Sequence, residues 1–326
     1  MSGPDPATAA VRLAVRGALA ECEPGQTVLV ACSGGADSLA LAAAVAFEAP
    51  HEALRAGAVV VDHRLQPGSG EVAATVAHRL RDLGLDPVDV VAVDVPRSPD
   101  GVEAAAREAR HAALRDAADR HGATLLLLGH TLDDQAEQVL LGLARGAGAR
   151  SLAGMPRARD LLRRPLLGVT RAQCRASLEA QGLTWWDDPM NEDPAYARVR
   201  ARRAVSDLER DLGPGVASAL ARTADLLRED ADHLDHLADE AAGALGPGPW
   251  GVDDLAPLPR PVRTRVWRRL LTTAGAPAGA LGTRHTDACD ALLTRWHGQG
   301  PVHVPGRLSV TRSGGRVSIA ATPPVE

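Results

Sequence analysis

An α/β fold with a doubly wound, mostly parallel sheet, followed by a smaller α+β and mainly helical domain, is predicted by three observations. Short apolar runs rich in β-branched residues alternate with helical patterns over the first 145 residues. Polar clusters stand where several of those runs end. Beyond them the pattern changes to Pro-punctuated helices and a terminal hairpin. A length of 326 residues accommodates two domains. Hydrophobic residues make up 45% and aromatics only 2%, so the core must be built from Ala, Val and Leu.

The first run, Thr27 to Cys32, ends in Ser33-Gly34-Gly35-Ala36-Asp37-Ser38 and leads into a helix over Ser38 to Glu48. Gly34 and Gly35 lack Cβ, so the backbone can turn through positive φ and bring its N–H groups close to a phosphate. The hydroxyls of Ser33 and Ser38 add donors, and the helix aims its positive dipole end at the same point. A Walker A loop needs a lysine, and all 36 basic side chains here are Arg. The cradle therefore suits a departing pyrophosphate better than transfer of a γ-phosphate; the competing reading is a Gly-rich turn in an Ala/Gly-rich chain. Asp37 would repel phosphate unless a cation lay between them, which implies Mg²⁺. Otherwise it satisfies helix N-terminal donors.

The second run, Ala58 to Asp62, ends at Asp62-His63 before a helix over Gly70 to Gly84; a polar pair there is common. A third, Val88 to Val95, precedes a helix over Gly101 to His121, in which Glu103 and Arg107 stand at ion-pair spacing just before Arg110. Taken alone that is an ordinary surface helix. The fourth, Leu125 to Gly129, delivers His130-Thr131-Leu132-Asp133-Asp134-Gln135-Ala136-Glu137 into a helix over Leu132 to Arg145. Asp133 and Glu137 share a helical face, where paired carboxylates can hold a metal, orient an ammonium group or tune a neighbouring His. Capping and a solvated first turn would explain Asp133 and Asp134 but not the His. Ligands of doubly wound sheets sit beyond the carboxyl ends of the strands, so the clusters after strands one, two and four are expected to form one site.

Gly146 to Met155 then reads as a loop, Arg163 to Leu167 as an apolar stretch, Thr170 to Gly182 as a helix and Trp185 to Pro194 as turns. A helix from about Tyr196 carries Arg198, Arg200, Arg202 and Arg203, suited to phosphate or carboxylate recognition or simply a basic face. Trp185 and Trp186 are candidates for stacking a base, although one of them reads as core, as large aromatics usually do. Val216 to Leu245 is long, acidic and helical. Helices near Pro261 to Thr273 and Thr286 to Trp296 and a hairpin over Val302 to Ala320, turning near Ser313 to Gly315, complete the chain. The expected divisions are 1–213, a helical connector 214–248 and a domain 249–326.

A net charge of −5 conceals segregation: −9 over 1–144, +6 over 145–203, −7 over 204–250 and +5 over 251–326. Such blocks are solvated faces, or a polyanion track if the basic ones meet. Cys22, Cys32, Cys174 and Cys289 form no C-x-x-C pair, which argues against a zinc knuckle, an iron–sulfur cluster or a disulfide framework and fits a reducing cytoplasm. The longest apolar run, Leu39 to Phe47, is too short to span a bilayer, and the polar N-terminus has no signal-peptide pattern, so a cytoplasmic protein without a membrane partner is expected.

In order along residues 26–205, these segments resemble the tRNA(Ile)-lysidine synthase family of PP-loop (N-type) ATP pyrophosphatases. The resemblance runs through Ser33 to Ser38, Val61 to His63, Glu103 to Arg110, Leu128 to His130, Leu132 to Glu137, Arg145 to Gly148, Gly154-Met155, Arg164 to Leu167, Asp188 to Asn191 and Arg198 to Arg202. The first motif is shared by many PP-loop enzymes; the His130 to Glu137 block followed by Arg145 to Met155 is far more specific. Departures are Thr131 for a second His, Gln138 for Thr, Met190 for Ser, Val199 for Asn and His111 for Tyr.

The resemblance implies a Rossmann-like PP-loop domain with a C-terminal tRNA-binding domain, and a carbon–nitrogen ligase acting in two steps. The wobble cytidine of a CAU-anticodon isoleucine tRNA attacks the α-phosphate of ATP through its C2 oxygen, and the ε-amine of L-lysine then displaces AMP. ATP and Mg²⁺ are implied, with Ser33, Gly34, Gly35, Ala36, Asp37, Ser38, Asp62 and His63 on the nucleotide and Asp37 on the metal. Asp37, His130, Asp133, Asp134 and Glu137 are the implied catalytic set, and Glu103, Arg107, Arg110, Arg198 and Arg202 the contacts to tRNA or lysine. The sequence leaves a homodimer open. A tRNA-thiolating PP-loop enzyme, which would need catalytic cysteines or a cluster, an NAD or GMP synthetase, and a non-catalytic ATP-binding module are the alternatives.

Overall fold

The computed structural model describes residues 3–64, 68–93, 102–146 and 148–322, and the side chains among them other than those of 102–107 and 191. The chain divides into two compact units, up to Leu226 and from Leu227 onward.

The first unit opens with a helix absent from the sequence expectation, α1 (Pro6–Leu19). Asp5 caps it, its Oδ1 accepting from the N–H groups of Ala7 and Thr8 at 2.9 and 3.3 Å, and Pro6 supplies a preset φ at the first turn. Val11, Val15 and Leu19, four apart, bury its inner face, and Arg16 reaches the buried carboxylate of Glu48 at 2.9 Å.

The alternation then proceeds as expected: β1 (Thr27–Ala31), α2 (Ala36–Glu48), β2 (Arg55–Asp62), α3 (Ser69–Asp82), β3 (Val88–Ala92), α4 (Val102–Arg120), β4 (Ala123–Leu128) and α5 (Leu132–Ala144). Helix α2 begins at Ala36 rather than Ser38, so Asp37 and Ser38 lie in its first turn. The expected strand ends Asp94 and Val95 and the expected helix start Gly101 lie outside the described residues. The segment 146–155, expected as loop, contains the single turn α6 (Ala149–Leu152). Two short strands, β5 (Ala158–Arg159) and β6 (Leu162–Arg163), lead into the expected apolar stretch, which forms a 3-10 turn over Pro165–Gly168. Then come α7 (Arg171–Ala180), α8 (Ala197–Leu212) and the thirty-residue α9 (Val216–Leu245).

The strand order is β3-β2-β1-β4-β6-β5, parallel except for β5 at the edge. The direction of winding reverses between β1 and β4, where such sheets bind ligands. Period-two alternation splits the strand residues: Val28 and Val30 face a core shared with α1, α2, α3 and α7, while Leu29, Val59 and Leu126 face Leu114, Ala117 and Ala118 of α4. Both layers are aliphatic, and burying the sheet on both faces is what its near-continuous apolar strands require.

The second unit contains the rest of α9, then β7 (Trp250–Gly251), α10 (Val252–Leu255), α11 (Arg260–Thr273), α12 (Thr283–Thr294), β8 (Val302–Val304), β9 (Leu308–Ser313) and β10 (Arg316–Ala321). Its antiparallel sheet runs β7-β10-β9-β8. The turn expected near Ser313 to Gly315 is a two-residue one between β9 and β10, made by Gly314 and Gly315 at φ 55° and 76°. Trp267, fully buried, is the largest side chain of a core that includes Val266, Leu271, Leu292 and Val310.

The arginines of α11 are engaged within this unit. Arg265 meets Asp235 of α9 at 2.8 Å, Arg269 pairs with Asp239, Arg260 with Asp287, and Arg268 donates to the carbonyls of Leu281 and Ala278. Arg263 is buried against Asp290 and donates further to the carbonyls of Ala256 and Leu258. In α9 and α11 the opposite charge blocks thus stitch the fold together instead of leaving a bare cationic stripe.

Candidate active site

The cradle is preorganised. Gly34 sits at φ +85°, and a Cβ there would fall 2.4 Å from Cγ2 of Val76, so only glycine fits. Ser38 Oγ accepts from the Ser33 N–H at 3.2 Å, donates to the Gly35 carbonyl at 3.0 Å and lies 3.3 Å from Ser33 Oγ, closing the loop over the first turn of α2. From the far side the Trp186 N–H donates to the Gly34 carbonyl at 3.0 Å. Trp186 thus braces the loop through its backbone, while Trp185 packs against the core and donates its indole N–H to Asp187.

Gly129 carries the site from β1 to β4. A Cβ on Gly129 would lie 2.9 Å from Ser38 Cα and 3.1 Å from the Asp37 carbonyl. The tip of β4 and the first turn of α2 therefore touch backbone to backbone, which sets the His130 block beside the cradle. Thr131 is fully buried as the N-cap of α5: its N–H donates to Asp134 Oδ2 at 2.8 Å and its hydroxyl to the same oxygen at 3.0 Å. Gln135 clamps the next loop, bonding both the N–H and the carbonyl of Met155 at 2.7 and 3.1 Å.

A residue unmarked in the sequence reading stands at the centre. Arg171, first residue of α7, donates from Nε to Asp37 at 3.3 Å and from Nη2 to Asp134 and Glu137 at 3.0 and 3.3 Å. Asp133 turns instead to α7, accepting from the Arg171 backbone N–H at 2.8 Å, and the Leu132 N–H donates to the Val169 carbonyl, tying the starts of α5 and α7 together. Arg202 of α8 reaches Glu137 at 2.9 Å. Asp134 and Glu137, three apart, are thus the pair that converges on a cation. Three carboxylates, Asp37, Asp134 and Glu137, contact two guanidinium groups, and Asp133 adjoins them.

Burial first, and the crowding of carboxylates after it, perturb these groups. Burial, opposed by Arg171 and reinforced by Asp134, pushes the Asp37 carboxyl up to about 6, and its Oδ1 is buried with no partner among the described residues. Glu137 is raised by burial and by Asp134. Asp134 is held low: burial pushes it up, but Arg171 and the Thr131 donors outweigh that.

A cationic side adjoins the acidic one. Burial drives the His130 imidazole far below its ordinary value; Asp134 opposes this, and the guanidinium groups of Arg164, Arg110 and Arg198 add to it. His130 is therefore neutral at physiological pH, and its buried Nδ1 has no partner among the described residues. His63 behaves similarly, lowered by burial and then by Arg110. Arg110 and Arg198 thus come to the site, joined by Arg164, which belongs to a segment of the resemblance but is not among the implied site residues. Asp62 is engaged by its own loop, accepting from the Arg64 N–H at 2.9 Å. Glu103 and Arg107 have side chains outside the described residues.

Residues 10–209 match the model of the PP-loop domain, and residues 252–318 that of the TilS substrate binding domain. A tRNA(Ile)-lysidine synthase of Thermobifida fusca is 54% identical over 98% of this chain and 100% of its own length. The chain belongs to the tRNA(Ile)-lysidine synthase family. Family members from Streptomyces coelicolor and Salinispora arenicola are 51% and 53% identical, over 97% and 96% of this chain and 99% and 96% of theirs. Among solved structures, the U34-tRNA thiolase NcsA of Methanococcus maripaludis, with its [4Fe-4S] cluster, superposes with a TM-score of 0.57 at 18% identity, over 68% of this chain and 80% of that one. That likeness is one of fold. In this chain Cys32 and Cys174 are buried free thiols raised by burial, and burial lifts Cys289 to about 12, the opposite of activated cysteines. No described helix is long and apolar enough to cross a membrane.

Proposed function

We propose that this chain forms lysidine by housing the two halves of the chemistry at adjoining strand ends, with ATP phosphates on Ser33 to Ser38 and the lysine ammonium among Asp134, Glu137 and Asp37. As a family member it is an ATP-dependent carbon–nitrogen ligase. The observation that carries the site assignment is the carboxylate excess around Arg171, beside the phosphate cradle. Such an excess attracts a second cation, and Coulomb attraction in a partly buried site is several-fold stronger than in water.

In the first step the cytidine C2 oxygen of a CAU-anticodon isoleucine tRNA attacks the α-phosphorus and pyrophosphate leaves. The N–H groups of the Gly34–Gly35 turn and the positive end of α2 stabilise the charge that gathers on the leaving group. The unbonded Oδ1 of Asp37 is a hard donor of the kind Mg²⁺ takes, and the ion would neutralise phosphate charge there. Asp62 and His63, at the end of β2, are assigned to the nucleotide. Arg110, Arg164 and Arg198, with Glu103 and Arg107 earlier on α4, are assigned to the tRNA side.

In the second step the lysine ε-amine attacks C2 and AMP departs. His130 is too weakly basic to take the amine proton and polarises the cytidine by hydrogen bonding; Glu137, raised by burial, is the better acceptor. Asp133 accepts the backbone N–H of Arg171 and so ties α5 to the start of α7, which Thr170 caps. The unit from Leu227 onward is assigned to the tRNA body.

Incubation with ATP, lysine and isoleucine tRNA should give AMP release that depends on lysine, and a wobble nucleoside heavier by one lysyl residue in mass spectrometry. A sulfur-bearing nucleoside, or AMP release indifferent to lysine, would refute the assignment.

A further inference from the structure

Arg171 fills the place that an incoming ammonium would need. Its guanidinium bonds Asp37, Asp134 and Glu137 together, and Nη2 alone engages both Asp134 and Glu137. A second cation cannot use the same oxygens while it stays, since like charges at contact repel strongly in a partly buried site. The same side chain lines a cavity of about 620 Å³ whose wall also carries Arg175, Glu192, Arg202 and Arg203. Glu192 is the single carboxylate among those lining residues. Room and one anionic side chain, Glu192, lie just outside the cluster, in a wall whose other charged groups, Arg175, Arg202 and Arg203, are cationic.

We propose that Arg171 is a specificity-determining gate for the amine substrate: it closes the carboxylate cluster when no amine is bound and swings into the cavity toward Glu192 when the ammonium takes its place. The proposal rests on the reading that the cluster receives lysine. A resident guanidinium with three ionic contacts sets a threshold that water and ammonia do not pass, and lysine passes it through its charge together with the contacts of its remaining atoms. Discrimination is then a difference of affinities against a fixed internal competitor. Apparent affinity for lysine is reduced by the fraction of molecules with the gate closed.

The test is the lysine dependence of AMP release by the full chain with ATP and isoleucine tRNA, with a thermal melt of each variant. Arg171→Gln removes the competitor, so KM for lysine should fall about tenfold and competition by ammonium or ornithine should strengthen, whereas Arg171→Lys should restore much of the wild-type KM. Glu192→Gln removes the outer station, so KM for lysine should rise about threefold, more than kcat changes. A raised KM in a folded Arg171→Gln protein, or an unchanged KM in Glu192→Gln, would overturn the gate. Should Arg171→Gln fail to fold, the exposed Glu192 variant decides alone. Asp134→Asn tests the underlying reading separately: if the cluster binds lysine its KM rises steeply, and no change would remove lysine from the cluster whatever Arg171 does.

Discussion

Around Arg171, three carboxylates meet two guanidinium groups with Asp133 adjoining, Oδ1 of Asp37 has no partner among the described residues, and the Asp37 carboxyl is pushed up to about 6 by burial. Along α11 the arginines meet Asp235, Asp239, Asp287, Asp290 and several main-chain carbonyls, and Asp239 is held below its ordinary value by the hydrogen bond from Arg269. The chemical groups are the same; the stoichiometry and saturation differ. Where charges balance and donors are satisfied the network fixes a fold, and where negative charge is left over it stores affinity for a further cation.

The largest expected effect breaks the acidic side alone. Asp37→Ala should reduce pyrophosphate release with ATP and tRNA to background while circular dichroism stays native; unchanged release would remove Asp37 from the reaction. Next, Arg263→Ala strands Asp290 in the second core, and breaking a buried pair costs about 3–5 kcal/mol, read as a lower denaturation midpoint. A loss below 1 kcal/mol would mean that this pair is as dispensable as a surface one.

The smallest effects separate the regions by sign. Asp37 is raised in the folded state, so folding disfavours its ionised form, and the penalty grows as pH climbs from the ordinary carboxylate range through about 6. Asp37→Asn should therefore gain stability over the wild type as pH rises from 4 to 8, by about 3 kcal/mol at most. Asp239 is depressed, so its contribution is present above its ordinary value and is lost as pH falls through the folded one. Asp239→Asn should lose less than about 1 kcal/mol at pH 7, the loss vanishing in acid, because this pair is exposed. Denaturant melts at matched ionic strength read both, and a common sign would erase the distinction.

The alternating strands and helices were legible because each apolar run is bounded by polar residues, and the strand-end rule brought Ser33 to Ser38 and His130 to Glu137 together. Helix α1 was not legible because its polar, Pro-containing opening masks the Asp5-Pro6 cap and the apolar residues four apart behind it. Arg171 escaped because it stands in an unremarkable helix, yet there was a cue: an arginine at a helix's first position opposes the dipole and needs a nearby anion to offset it. Thr131 looked like a departure from the family at a reactive position, whereas its hydroxyl caps α5. Charge blocks are read from composition but paired only in three dimensions, so the role of α11 was out of reach.

The missing Cβ of Gly129 has a consequence for how such a site can evolve. With main chain pressed on main chain between β4 and α2, no side-chain rotamer lies in the joint to adjust the spacing of cradle and imidazole. That spacing is a constant of the scaffold. New amines or new nucleotides can be accommodated only at the outer rims of the two pockets, by changes such as those around Arg171 and Glu192, and a bulkier residue at the joint would uncouple adenylation from capture of the amine without touching either ligand.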